Sequence, residues 1–149
     1  MPDPRQLDFL ENLAAERSDA LAVQLAKARQ ALQAAEQQLD LLQKYAGGYR
    51  TQLGTKLEAS LEIEALRGHQ RFMQNIAKAI RQQELEVARR RVQADASERA
   101  WQDSERRRQG FRVMGTQLAL RARRDADRAA QRQTDEFATR GAARNAVDH

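Results

Sequence analysis

Residues 21–53, LAVQLAKARQALQAAEQQLDLLQKYAGGYRTQL, place an apolar or small side chain at alternating four- and three-residue steps: Leu21, Leu25, Ala28, Leu32, Ala35, Leu39, Leu42, Ala46, Tyr49 and Leu53. No charged residue interrupts the series. A 4-3 repeat keeps one seam turned toward a partner helix over many turns, which is what a two-stranded coiled coil requires. A weaker series follows through Phe72, Ile76, Ala79 or Ile80, Val87, Ala94, Ser97, Trp101, Ser104, Phe111 and Leu118. No proline occurs after Pro4, and the two series flank one glycine-punctuated break. The fold class is therefore all-α: two long helices forming an antiparallel coiled-coil hairpin, the second helix longer.

Local signals set the boundaries. Asp3 suits an N-cap, Pro4 the first helical position, and Gln6 the partner of a capping box. Helix 1 is expected over about 4–53, a connection over about 54–68, and helix 2 over about 69–140 with a frayed tail, in a single domain spanning 1–149. Gly47 and Gly48 cost about 1 kcal/mol each inside a helix, yet Tyr49 and Leu53 keep the phase beyond them, so helix 1 continues through. Gly54, Ser60 and Gly68 punctuate TKLEASLEIEALRG, which has room for one or two helical turns but lacks the flanking repeat. Upstream, Leu7, Leu10 and Ala14 continue the series less strictly, because Glu11 and Ser18 take seam positions. Those first turns are free to fray or to pack elsewhere. The Ala and Ser seam of helix 2 allows close approach but buries less per residue, so stability per turn falls toward the open end.

Composition narrows the function. Aromatic residues make up 5% and charged residues 32% of the 149, so burial must be linear, along a seam, with no deep globular core. With no cysteine there is no disulfide, thiolate nucleophile or thiolate metal site. No apolar run approaches the roughly 20 residues that span a bilayer, and MPDPRQLDF carries no basic-then-apolar secretory signal. A cytoplasmic protein without direct membrane insertion is expected. GYRTQLGTK superficially resembles a phosphate loop, but Thr55 stands where Lys is required and no strand precedes it. His69 and His149 are the only histidines, and neither has a second ligand at helical spacing, so no zinc site is expected. His69 reads as a helix-start residue. An enzyme is not expected, nor any cofactor.

Charge divides unevenly: residues 1–68 hold 8 basic and 10 acidic side chains, and residues 69–149 hold 18 and 11. The excess is arginine, in runs such as Arg89-Arg90-Arg91 and Arg106-Arg107-Arg108. Opposite net signs favour pairing of the two helices. An acidic partner is one use for such runs; a solvated helix face is the other, and the interleaved carboxylates favour it.

Surface recognition remains. Gln38, Leu42, Tyr45 and Tyr49 form one stripe, and Phe72, Ile76, Ala79 and Gln83 repeat its steps on the second helix. An antiparallel register with Tyr49 opposite Phe72 also sets Tyr45 opposite Ile76, Leu42 opposite Ala79 and Gln38 opposite Gln83. Leu42, Ile76 and Tyr49 fit the seam equally well as core. Tyr45 falls beside the seam, where an exposed edge is expected, and an apolar aromatic patch on a charged surface suits protein docking.

LDLLQKYAGGYRTQL (39–53), GHQRFMQNIAKAIRQQE (68–84), the later Trp101 and the ending DEFATR (135–140) resemble, in order, the FliJ family of flagellar export proteins. The resemblance implies a soluble component of the flagellar type III export apparatus, cytoplasmic and peripherally associated with the inner membrane at the flagellar base. It implies a stalk similar to the rotary ATPase gamma-subunit coiled coil, engaging the hexameric export ATPase and its regulator. It also implies docking on the cytoplasmic domain of the export gate and recycling of export chaperones. The gate-binding surface maps onto Gln38, Leu42, Tyr45, Tyr49, Phe72, Ile76, Ala79 and Gln83; this sequence has Gln83 where relatives can carry histidine. In the same register helix 2 overhangs from Leu118 onward. Leu7, Phe9, Leu10 and Leu13, with Arg121, Arg123, Arg124, Arg128 and Arg132, are expected to enter the ATPase ring. A virulence secretion counterpart and a basic nucleic-acid-binding arm are the alternatives.

Overall fold

The computed structural model describes residues 3–58 and 62–147, which form two helices, α1 (Pro4–Glu58) and α2 (Ile63–Val147). Asp3 caps α1 as its sequence indicates. Its Oδ1 accepts a hydrogen bond from Gln6 N at 2.8 Å, and Gln6 Oε1 accepts one from Asp3 N at 3.2 Å, so two otherwise orphaned donors are satisfied reciprocally.

The helices are longer than the 4–53 and 69–140 expected, and the connection is narrower than 54–68. α1 continues to Glu58 and α2 is already helical at Ile63; residues 59–61 of the expected connection lie outside the described residues. The physical reason is that Leu, Glu, Lys and Ala, all good helix formers, surround Gly54 and Gly68 and offset the roughly 1 kcal/mol that each glycine costs.

The chain divides into two units. In the unit of residues 18–103, α1 and α2 pack antiparallel. Gln83 Nε2 donates to the Ala35 carbonyl at 3.0 Å, Arg91 bridges to Glu36 at 3.1 Å, and Arg29 bridges to Glu98 at 3.2 Å. All ten seam positions from Leu21 to Leu53 are buried or half-buried. The buried residues of this unit are Ser18, Leu25, Ala35, Ala46, Ile76, Val87 and Ala94.

In the unit of residues 3–17 and 104–147, the buried residues are Leu7, Ala14 and Ser104. The first turns of α1 are helical and pack on α2. Leu7 is 4% exposed and packs on α2 at Gly115, where a Cβ would meet Leu7 Cδ2 at 3.4 Å, an ordinary contact distance. Pro4, Leu7 and Asp8 share a groove with Gly115, Leu118, Ala119 and Ala122. Leu118 is thus half-buried beside α1, and the overhang begins about one turn later than Leu118. Every residue from Ala119 to Arg140 is exposed.

Candidate docking surface

The end of the 18–103 unit nearest the connection gathers four rings. Tyr49 and Phe72 face each other across the helices with ring centroids 4.5 Å apart. Phe72 meets Tyr45 edge-on at 6.2 Å and 73°, within the range in which aromatic edges and faces attract. His69 lies 5.5 Å from the Tyr49 ring, and its Nδ1 is hydrogen-bonded to the Tyr49 hydroxyl. The 4-3 repeat puts Tyr49 and Phe72 on the seam. Tyr45, one residue before the buried Ala46, is turned outward and is 59% exposed.

The other expected patch residues separate by role. Leu42 and Ala79 are half-buried, and Gln38 is exposed on α1. Ile76 is buried, which makes it a core side chain supporting the patch from beneath. Gln83 does not face Gln38: its amide reaches across to the Ala35 carbonyl and acts as an interhelical tie.

Two residues of this surface escape the repeat-based reading. Leu41 is 67% exposed one turn before Tyr45, and the pair makes an apolar strip outside the seam. The i, i+4 spacing of Leu41 and Tyr45 is the signal that could have shown it. His69 is not merely a helix-start residue. Its position three residues before Phe72 places both rings on one face of α2, which the register turns toward Tyr49.

An ion pair borders the patch. Lys44 bridges to Asp40 at 2.8 Å, and the hydrogen bond with Asp40 holds the Lys44 ammonium above its ordinary pKa. Further along α2, Glu86 accepts from both Arg89 and Arg90 at 2.9 Å; those hydrogen bonds, Arg89's first, hold its carboxyl below the usual range. With Arg91 on Glu36, the whole Arg89–Arg91 run is engaged within the protein. That pairing fits the solvated-face reading of this run.

In the other unit, Phe9 and Leu13 are exposed at 66% and 51%, Leu10 is half-buried, and Arg5, Gln6, Phe9 and Leu10 line a shallow depression. Leu7, expected with them as a contact, is instead seam core against Gly115. Arg121, Arg123, Arg124, Arg128 and Arg132 are all exposed.

Among the described residues no cluster of His, Asp or Glu could hold a metal ion, and no helix is long and apolar enough to cross a membrane. The chain is of the two-helix antiparallel coiled-coil class, with apolar side chains presented on its surface.

Comparison with known proteins narrows the class to a family. The family described as "Flagellar FliJ protein" matches residues 4–146. The Flagellar FliJ protein of Salmonella typhi is 30% identical over 138 residues, covering 93% of this chain and 94% of that protein. The Flagellar FliJ protein of Escherichia coli K12 is 28% identical over 144 residues, covering 97% and 98%. The chain belongs to the FliJ family of flagellar proteins.

Proposed function

We propose that this chain is a non-enzymatic component of the flagellar type III export apparatus, docking through its aromatic end on the cytoplasmic domain of the export gate. Its partners in this reading are the gate, the hexameric export ATPase with its regulator, and export chaperones that it helps to recycle. It works in the cytoplasm, peripherally at the inner membrane of the flagellar base. Docking draws on Tyr45 and Leu41 at the surface, with Gln38 beside them and Phe72, Tyr49, Leu42 and Ala79 at half-buried positions behind. Ile76 and Gln83 hold the helices in register. Phe9 and Leu13, with the exposed arginines from Arg121 to Arg132, meet the ATPase.

The observation that carries the reading is the ring array: an exposed tyrosine held edge-on by a half-buried phenylalanine, beside an exposed leucine. Aromatic side chains backed by a rigid support are what interface hot spots are made of. The test is binding of Tyr45→Ala and Phe72→Ala chains to the gate domain, with circular dichroism as the control. The proposal expects affinity and motility to fall while the helical spectrum persists. Full binding by both variants would remove it.

A further inference from the structure

His69 is the one ring of the array that the docking residues named above do not include. Its Nδ1 is hydrogen-bonded to the half-buried Tyr49 hydroxyl. Tyr49 packs on Phe72, and Phe72 on the exposed Tyr45. The four rings form a continuous chain from one polar contact to the surface.

That chain crosses α1 beside its only pair of adjacent glycines. Gly47 and Gly48 immediately precede Tyr49, with open space where their Cβ atoms would be, and glycine gives a helix turn little resistance to bending. Thr51 Oγ1 donates back to the Gly47 carbonyl at 3.0 Å, a bond that competes with the helical ladder and tends to bend it. A tyrosine on such a turn takes its orientation from contacts outside α1, and Phe72 supports the Tyr49 ring. His69, on α2, does so at the hydroxyl, the far end of the Tyr49 ring and the point of greatest leverage.

We propose that His69 is a positioning residue of the docking surface, which through Tyr49 and Phe72 fixes the angle at which Tyr45 is presented. This rests on the reading that the aromatic end docks on the gate domain, but it does not require His69 to touch the gate.

The test uses the full chain with His69→Ala, Tyr49→Phe, the double change, and His69→Asn, which returns a hydrogen-bonding atom near the place of Nδ1. Two quantities are read: ring-proton NMR shifts of Tyr45 and Phe72 in the free protein, and affinity for the gate domain. Either single change should move the Tyr45 and Phe72 resonances and weaken binding roughly five-fold, the loss expected of one hydrogen bond. The double variant should bind no worse than the singles, and His69→Asn should recover most of the affinity. Unmoved Tyr45 and Phe72 shifts in both single variants, or losses that simply add, would overturn the proposal. Should His69→Ala lose helicity, Tyr49→Phe decides by the same criteria. If Tyr45→Ala binds the gate like the unaltered chain, the docking reading falls, and the ring shifts alone decide the positioning role.

Discussion

Residues 18–103 and the unit of residues 3–17 with 104–147 obey one repeat and yet are built differently. The first buries Leu25, Ile76 and Val87 among alanines, whereas the second buries Leu7, Ala14 and Ser104 and then presents an entirely exposed stretch of α2. The repeat sets which face of each helix turns inward. The size of the side chain at each repeat position sets how much each turn contributes, and what is left over sets the surface: a cluster of rings in one unit, a wholly exposed arginine-bearing stretch of helix in the other.

The largest effect that can break this comparison comes from the core leucines. Leu25→Ala should cost about 2–4 kcal/mol, the range for leucine truncation in a packed core. Leu7→Ala should cost about half as much, because its groove on α2 is lined by Gly115, Ala119 and Ala122 beside a single leucine, Leu118, and the site can collapse. Urea unfolding followed at 222 nm measures both. Equal losses would mean that the two seams are equally strong.

Glycine-to-alanine changes act in the opposite direction and are smaller. Gly47→Ala meets open space and should stabilise by about 0.5–1 kcal/mol through helix propensity. Gly115→Ala should gain less, since its new methyl would meet Leu7 at 3.4 Å, an ordinary contact with no room to spare. Thermal unfolding of both variants checks the order.

The smallest effect concerns Glu86. Its carboxyl titrates below the ordinary value of 4.5 because Arg89 and Arg90 hydrogen-bond the ionised form. A depressed carboxyl pKa contributes stability that is present above the unfolded value and is lost as pH falls through the folded value. Glu86→Gln should therefore lower stability slightly at pH 7 and leave it unchanged at pH 2. The effect is small because exposed ion pairs are weak, and added salt should shrink it further.

The long-range plan of the fold was legible because it rests on periodicity. Ten consecutive seam positions of α1 can be read off the chain, and all ten are turned inward; Asp3 and Gln6 state the start of α1 as plainly. What the sequence hid was context. Gly54 and Gly68 suggest a wide break, but good helix formers around them carry α1 to Glu58 and start α2 at Ile63. Glu11 and Ser18 make the first turns look loose, whereas Ser18 is 1% exposed and serves as a seam residue. At the candidate docking surface the repeat placed Tyr45, Tyr49 and Phe72 together. It could not show that Gln83 turns to a backbone carbonyl, because the direction of an amide depends on which acceptor the partner helix offers. Leu41 and His69 were hidden for a related reason: neither is needed to explain the seam.

In the proposed function the ring cluster of the 18–103 unit, and not the exposed Phe9 of the other unit, meets the export gate. The most direct measurement is the affinity of the gate cytoplasmic domain for Tyr45→Ala beside Phe9→Ala, each with its helical spectrum recorded. Tyr45→Ala should lose roughly thirty-fold or more, an interface hot spot's loss, and Phe9→Ala should not change. Unchanged affinity for Tyr45→Ala, or a loss confined to Phe9→Ala, would contradict that reading.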